Sequence, residues 1–484
     1  MTDRIEDSPL YRIANPRSIA IFGASNKFTA MGTGILSSIK QMGYDGAIYP
    51  VHPREETVQG HKAYSSVLDL PETPDLAIIV LPTPVVPEVM EACGQKGIGH
   101  AIVVSGGFRE VGPEGAALEK QLNQAAARHN MRFLGPNCIG AVNTHFKFNA
   151  TFLPCDHPPG FIGMASQSGS FITQMFDYLG RYNLGFSTGF SVGNEASVDI
   201  VDCLEYLAKC PDTRVIALYI ESIRRGREFI DAARKIVPHK PVVAYYVGGT
   251  EAGGRAGLSH TGALAGADRV YDGVFRQSGV IRAHSIEEMF DICWCLGTTA
   301  LPRGNRVVIQ THSGGPGAVA ADACARNGLE LPSIEDQTRE KLAEYIPSTG
   351  SMNNPVDLTF TKRNLDYFVD IPNVLLADNN VDALMVYMMM PRRMVLMVAE
   401  TTGVSMEEAK TLAAQFISDQ SRQLADSMRN AKKPWIGYSY YSAESDFIQK
   451  LYEAGAPVLP GPNRAARALG AMHEYGELRE KLSK

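Results

Sequence analysis

Short, continuous apolar runs recur along the chain, and most are followed by a glycine-rich or polar turn and then by a helical pattern. A continuous apolar run is typical of a strand buried on both faces, and its alternation with helices is typical of a parallel sheet. The predicted strands are residues 18–23, 47–51, 76–81, 101–107, 132–137, 161–165, 188–192, 215–220, 241–247, 306–311, 383–388, 434–438 and 456–459. Helices are predicted at 87–96, 114–130 and 405–430. The pattern predicts an α/β protein with mainly parallel sheets.

The alternation falls into three parts, and a length of 484 residues agrees with roughly three domains. We predict three Rossmann-like or flavodoxin-like domains at residues 1–143, 144–300 and 301–484. The last boundary follows a break, Leu301-Pro302-Arg303-Gly304-Asn305, in which proline and glycine interrupt regular structure.

Composition narrows the classes of protein that this chain can represent. The net charge is −6, which argues against a nucleic-acid surface. The N-terminal residues carry no apolar signal core, and the chain has no apolar run long enough to cross a membrane. The eight cysteines are scattered, without C-x-x-C spacing, so we expect reduced thiols, no metal site and a cytoplasmic location.

Three predicted strands end in loops of small residues that lead into helices. These loops are Gly23-Ala24-Ser25, Ser166-Gln167-Ser168-Gly169-Ser170 and His312-Ser313-Gly314-Gly315. Backbone N–H groups at the start of a helix bind anions, so three such loops suggest repeated handling of phosphate. Glycine also serves tight turns, and the third loop is equally explained as a simple helix start. Gly193-Asn194-Glu195-Ala196 either borders the same pocket or forms a plain turn.

The first of these loops suggests a nicotinamide site, but two features argue against that interpretation. The glycines after Gly23 are Gly32 and Gly34, which do not complete G-x-G-x-x-G. The second strand ends in His52-Pro53-Arg54 rather than in an acidic residue that would bind a ribose hydroxyl. These basic residues suit the phosphates of coenzyme A instead.

His260 lies in a stretch with seven glycines among nineteen residues, Gly248 to Gly266. Glycine makes the backbone pliable, and a neutral imidazole is a nucleophile that can carry a covalent group. Glu221 follows an apolar strand and has the chemistry to accept the other imidazole N–H. The alternatives are that His260 is a loop histidine without a catalytic role and that Glu221 is a carboxylate that faces solvent.

The chain resembles the NDP-forming acyl-CoA synthetases, particularly the alpha subunits of the ADP-forming acetate–CoA ligases. Its first part resembles their CoA-binding domain, and its second part resembles their succinyl-CoA synthetase-like phosphohistidine domain. Its third part resembles their ligase-CoA flavodoxin-like domain. The segments that carry the resemblance are residues 18–23, 49–54, 104–108, 135–138, 166–169, 219–222, 259–266 and 354–358.

The resemblance implies interconversion of acyl-CoA, ADP and phosphate with acid, CoA and ATP, through an acyl phosphate and a phosphohistidine. It implies catalytic roles for His260 and Glu221, and phosphate binding by Ser166, Gln167, Ser168, Gly169 and Ser170. Within the first domain it implies CoA binding by Gly23, Ala24, Ser25, His52, Pro53, Arg54, Leu81, Pro82, Ser105, Gly106 and Asn137.

The chain shows no stretch resembling an ATP-grasp fold, so the resemblance implies Mg-ADP or Mg-ATP on a beta subunit, in an alpha2beta2 assembly. The acyl group stays open, and Met388-Met389-Met390 is either unusual for the third domain or a buried strand end. A noncatalytic CoA-binding or regulatory protein is the alternative function, followed by a nicotinamide-dependent oxidoreductase.

Overall fold

The computed structural model describes residues 4–250, 267–359, 367–390, 393, 395–397, 401 and 403–483, so His260 lies outside the described residues. Their contacts divide the chain into two compact units. The first contains Met1–Gly180 and Leu184–His284, and the second contains Arg181–Asn183 and Ser285–Lys484.

The first sheet of the first unit is parallel, with strand order β2-β1-β5-β6-β7. All five residues of its interior strand β1 are buried, because helices cover both faces of the sheet. The strands are β1 (Ser18–Phe22), β2 (Ala47–Val51), β5 (Leu76–Ile79), β6 (His100–Val103) and β7 (Arg132–Leu134), with a separate hairpin of β3 (Thr57–Val58) and β4 (His61–Lys62). The α-helices are Tyr11–Ala14, Met31–Gln41, Val86–Lys96 and Pro113–Arg128, and short 3-10 helices span Ile5–Asp7, Val67–Asp69, Thr83–Val85 and Arg109–Val111.

The second sheet of this unit has strand order β14-β13-β12-β10-β11-β8-β9 and is parallel except for its β8–β9 end. Its strands are β8 (Ala141–Asn143), β9 (Phe148–Asn149), β10 (Ile162–Ser166), β11 (Phe186–Ser191), β12 (Val215–Ile220), β13 (Val242–Tyr246) and β14 (Ile281–Ala283). Its helices are Phe171–Gly180, Ile200–Lys209, Gly226–Ile236 and Asp268–Ser278. Asp199 starts the helix Ile200–Lys209 with a capping box, in which its carboxylate accepts hydrogen bonds from two first-turn N–H groups.

The second unit is built on a five-stranded parallel sheet with order β16-β15-β17-β18-β19. The strands are β15 (Val307–Thr311), β16 (Val356–Asp357), β17 (Ala383–Tyr387), β18 (Trp435–Ser439) and β19 (Val458–Pro460). The helices are Ile286–Thr298, Gly314–Arg326, Asp336–Leu342, Asp370–Ala377, Met406–Asn430, Asp446–Glu453 and Pro462–Ser483. Ser405 and Glu408 form a capping box at the start of the long helix Met406–Asn430.

The helix Ile286–Thr298 belongs to the second unit, where it lies against the last helix, Pro462–Ser483. Two ion pairs join these helices, Arg464 to the buried Asp291 at 2.6 Å and Arg467 to Glu288 at 2.6 Å. Burial raises the pKa of Asp291 to about 6, although Arg464 opposes that rise. The three-domain division of the chain stays a prediction.

The predicted α/β class with mainly parallel sheets is confirmed. The strands that the pattern did not predict are the short ones, with two or three residues each, at the hairpin β3–β4 and at β8, β9, β14 and β16. Such segments are too short to show a hydrophobic period. Among the described residues, no helix combines the length and apolar character needed to cross a membrane.

Candidate functional site

The residues predicted to bind CoA all follow the carboxyl ends of the strands in the first sheet. Because these strands are parallel, their loops meet at one edge of the sheet. The connections from β1 and β5 run in opposite directions, and the gap between the two strands is the position where α/β sheets bind ligands. Gly23-Ala24-Ser25 follows β1 on one side of that gap, and Leu81-Pro82 follows β5 on the other.

Two glycines allow the loop after β1 to lie close to its neighbours. Gly23 has a φ of +86°, and a Cβ atom there would overlap the Val80 carbonyl oxygen. A Cβ on Gly32 would lie 2.5 Å from the Gly23 carbonyl carbon, so the helix Met31–Gln41 approaches the loop through glycine. Thr33 Oγ1 accepts a hydrogen bond from Ser25 N at 3.0 Å and donates one to Ser25 O at 2.9 Å. Gly32 and Thr33 therefore shape the loop, although the spacing of Gly32 from Gly23 does not fit G-x-G-x-x-G.

The His52 ring holds the turn that follows β2. Its Nδ1 accepts hydrogen bonds from Arg54 N at 3.2 Å and Glu55 N at 3.0 Å, and its Nε2 lies 3.9 Å from Glu55 Oε1. Glu55 also accepts a hydrogen bond from Asn26 N at 3.2 Å, which connects this turn to the loop after β1. Pro53 and Arg54 are exposed at the tip of the turn.

The loops after β5, β6 and β7 continue the same edge. Ser105 Oγ donates to Leu81 O at 2.6 Å and accepts from Leu81 N at 3.1 Å, which ties two neighbouring loops together. Thr83 Oγ1 donates to Gly106 O. Asn137, after β7, has a left-handed backbone with a φ of +59°.

The second sheet has its own switch point, between β10 and β12. The loop Ser166–Ser170 follows β10, and Glu221 follows β12. Ser166 Oγ donates to Ser168 O at 2.9 Å, and Thr173 Oγ1 donates to Ser170 O at 3.0 Å. These bonds curl the loop into the first turn of the helix Phe171–Gly180, whose N-terminus carries partial positive charge. The arrangement is suited to a phosphate.

Gln167 connects this loop to Glu221. Its Oε1 accepts hydrogen bonds from Glu221 N at 2.5 Å and Ser222 N at 2.9 Å, and its Nε2 donates to Ser222 O at 2.7 Å. Gln167 N donates to Tyr219 O at 3.2 Å. The Glu221 side chain is half-buried. Its expected partner His260 falls outside the described residues, so the contact between them stays a prediction.

The segment Gly193-Asn194-Glu195-Ala196 is a buried turn that joins the two sheets of the first unit. Asn194 N donates to Pro136 O at 2.9 Å, and Asn137 Nδ2 donates to Asn194 Oδ1 at 3.3 Å. Asn194 Nδ2 donates to Glu110 Oε2 at 2.6 Å and to Glu119 Oε2 at 3.0 Å. The segment is thus a turn, and it adjoins Asn137 of the candidate CoA edge.

The two edges meet at this point. A Cβ placed on Gly169 would lie 3.9 Å from Asn137 O, so the candidate phosphate loop is in contact with the end of the candidate CoA edge. Sequence reasoning treated the two sets of residues separately. The chain gave no local signal of their proximity, because it depends on how the two sheets face each other.

Glu195 is a buried carboxyl group beside the candidate phosphate loop. It is 8% exposed, and Ile200 N donates to its Oε1 at 2.9 Å. Burial raises its pKa to about 7, and a hydrogen bond from the Gln167 side chain opposes the rise. Arg224 Nε lies 3.8 Å from Glu195 Oε2. A carboxyl group with this pKa exchanges protons near neutral pH.

His312 occupies the corresponding position in the second unit, after β15 at the switch point of the third sheet. Its ring stacks on Tyr367, with a centroid distance of 3.6 Å, and burial lowers its pKa to about 4. The helix Gly314–Arg326 begins two residues later. Met388 is fully buried at the end of β17, as in the strand-end interpretation of the methionine run.

Comparison with known proteins gives family matches in the same order as the sheets. A CoA binding domain matches residues 17–144, a succinyl-CoA ligase like flavodoxin domain matches residues 159–296, and a ligase-CoA domain matches residues 307–413. The alpha subunit of ADP-forming acetate–CoA ligase I from Pyrococcus furiosus is 36% identical over 98% of this chain and 99% of its own length. The alpha subunit of ligase II from that organism is 42% identical over 78% of this chain and 82% of its own.

Among solved structures, the dinucleotide forming acetyl-coenzyme A synthetase 1 of Ca. Korarchaeum cryptofilum, in complex with phosphate and ADP, has a TM-score of 0.85. It is 31% identical and covers 98% of each chain. The fold and these matches define an acid–CoA ligase of the succinyl-CoA ligase type. Within that class, the chain belongs to the family of the ADP-forming acetate–CoA ligase alpha subunits, and the resemblance found in the sequence is confirmed.

Proposed function

We propose that this chain carries the acyl-transfer and phosphoryl-transfer steps of an ADP-forming acid–CoA ligase, with acetate as the expected acid. The supporting observation is the position of the loop Ser166–Ser170, which adjoins Asn137 at the candidate CoA edge and is tied to the Glu221 backbone. A phosphate in that loop would lie beside the candidate CoA edge, which would hold the acyl thioester, and beside Glu221, which would orient the histidine that accepts the phosphoryl group.

In the first step, phosphate attacks the acyl carbon of acyl-CoA, the thioester bond breaks, and CoA and acyl phosphate form. In the second step, an imidazole nitrogen of His260 attacks phosphorus, and the acid leaves as a carboxylate. The loop amides offset phosphate charge during both transfers. Glu221 orients the imidazole through its other N–H and stabilises the positive charge that develops on the ring.

CoA is held in this proposal by the first sheet. Gly23 and Ala24 supply backbone N–H groups for the pyrophosphate, since Ser25 N already donates to Thr33 Oγ1, and Arg54 supplies charge for the ribose phosphate. His52 offers only Nε2, since Nδ1 already accepts two backbone hydrogen bonds. Leu81, Pro82, Ser105, Gly106 and Asn137 line the rest of the edge.

The partner completes the cycle by moving the phosphoryl group to ADP. We expect an ATP-grasp beta subunit with Mg-ADP, an alpha2beta2 assembly and a cytoplasmic location, in keeping with cysteines that form no disulfide. The relatives named as alpha subunits support a partner.

The test follows labelled phosphate. With acetyl phosphate carrying radioactive phosphorus, the purified chain should gain an acid-labile label, and with CoA it should form acetyl-CoA. His260→Asn should abolish the label and leave acetyl-CoA formation intact. The chain alone should make no ATP from acetyl-CoA, ADP and phosphate, while adding the beta subunit should restore ATP formation. A label that persists in His260→Asn, or ATP from the single chain, would contradict the proposal.

A further inference from the structure

The side-chain amide of Gln167 lies where the pairing between β10 and β12 ends. The last paired residues of the two strands are Ser166 and Tyr219. Beyond them, Gln167 Oε1 accepts from Glu221 N and Ser222 N, and Nε2 donates to Ser222 O at 2.7 Å. The amide carries a donor and an acceptor like a peptide group, so it continues the pairing after the strand itself has turned away.

The Gln167 side chain also lies near the Glu195 carboxyl group, where it favours the charged form of that carboxyl. A glutamine amide has two acceptor positions on oxygen and two donor positions on nitrogen. The two backbone N–H groups fill the oxygen positions, and Ser222 O accepts one of the two amide N–H groups. Gln167 N already donates to Tyr219 O at 3.2 Å. The amide oxygen, one amide N–H and the backbone N–H of Gln167 are thereby bonded to neighbouring backbone groups.

We propose that Gln167 is a positioning residue, which fixes the backbone of Glu221 and Ser222 and so the direction of the Glu221 carboxylate, and that its side chain does not contact the phosphate. The inference rests on the proposed function, in which Glu221 orients the phosphorylated histidine. It revises the expectation that Gln167 binds phosphate. The backbone N–H groups of Ser168, Gly169 and Ser170 would bind the phosphate instead. With 6% exposure, the side chain has no route to another partner without breaking these bonds.

Gln167→Met tests this directly, because methionine has a similar length but makes none of the three side-chain hydrogen bonds. We expect the rate of labelling by radioactive acetyl phosphate to fall about 100-fold, since small displacements of a catalytic group have effects of that order. The KM for acetyl phosphate and the rate of acetyl-CoA formation from acetyl phosphate and CoA should stay at wild-type values. The matched control is Gln124→Met, an exposed glutamine of the same unit, which should label normally.

The kinetic pattern separates positioning from direct binding. A raised KM with an unchanged maximal labelling rate would mean that Gln167 touches phosphate, and a parallel loss of labelling and acetyl-CoA formation would mean a collapsed loop. Either result overturns the inference. If Gln167→Met does not fold, Gln167→Glu tests the same point, since it keeps the acceptor and the shape but loses the bond donated to Ser222 O. Its labelling should also fall selectively.

Glu221→Gln, measured in parallel, distinguishes the two levels of the argument. Lost labelling in Glu221→Gln with normal labelling in Gln167→Met would refute the positioning role alone. Normal labelling in Glu221→Gln would refute the role of Glu221 in the proposed function and the inference with it.

Discussion

The buried carboxyl group of Glu195, beside the candidate phosphate loop, should make the stability of the first unit depend on pH. The group is 8% exposed, and its contacts are Ile200 N at 2.9 Å and Arg224 Nε at 3.8 Å. Burial outweighs these contacts and raises its pKa from 4.5 to about 7. The folded unit therefore holds this proton more tightly than the unfolded chain, and it should lose stability as pH rises through that interval.

The size of the loss follows from the two pKa values. Between the two pKa values, each step of one pH unit lowers the free energy of unfolding by about 1.4 kcal/mol. The first structural unit should therefore lose about 3 kcal/mol of stability once the pH is above the folded-state pKa. Glu195→Gln keeps the shape and carries no charge, so its stability should not show this decline. Relative to the wild type, the variant should gain about 2–3 kcal/mol between about pH 5 and about pH 8. The lowered pKa values of His61 and His100 act in the opposite direction, but both proteins share them.

The assay must report on the first unit, and tryptophan fluorescence does not, because Trp294 and Trp435 both lie in the second. Amide hydrogen exchange of peptides from β10 to β13, followed by mass spectrometry across a urea series, reports on the correct sheet. Glu228→Gln, an exposed glutamate of the same unit, should keep the wild-type pH dependence. Equal pH dependence in Glu195→Gln and wild type would refute the reasoning, because the carboxyl group would then have an ordinary pKa.

Three further predictions concern other parts of the chain. Asp291→Ala leaves Arg464 without its partner between two helices of the second unit, so it should lower the free energy of unfolding by about 3 kcal/mol. The measurement is urea unfolding followed by tryptophan fluorescence. The control Asp322→Ala breaks an exposed pair with Arg326 and should cost under about 1 kcal/mol. Gly23→Ala should abolish CoA binding measured by calorimetry, because its Cβ would overlap Val80 O. The control is Gly60→Ala, since Gly60 has the same φ of +86° but open space around it. This variant should bind CoA normally and lose about 1–2 kcal/mol of stability. Arg54→Ala should weaken CoA binding about 10-fold and leave 3′-dephospho-CoA unchanged; equal losses for both ligands would remove Arg54 from the ribose phosphate.

The sequence identified the elements that have a strong pattern. The runs at 161–165 and 215–220 became β10 and β12, which pair in parallel, so Ser166–Ser170 and Glu221 lie at the same edge of the sheet. The pattern could not identify β8 and β9, whose antiparallel pairing depends on contact with β11 rather than on local periodicity. It also could not place Asn137 beside Gly169, since that contact depends on two sheets whose relative orientation has no local code.

Residue type alone could not separate ligands from supports at the candidate site. His52 and Gln167 both have the chemistry of phosphate ligands, yet His52 Nδ1 accepts two N–H groups of its own turn, and the Gln167 amide makes three hydrogen bonds to the backbone of Glu221 and Ser222. A buried polar group is committed to the partners that satisfy it, because losing one leaves an unpaired group that costs about 1–3 kcal/mol. In the proposed function, anion binding at these two loops therefore depends mainly on backbone N–H groups and on exposed Arg54. The exposed basic residues and the loop glycines are the positions at which substitution should change affinity, while substitution of the committed side chains should change the geometry and rate of transfer.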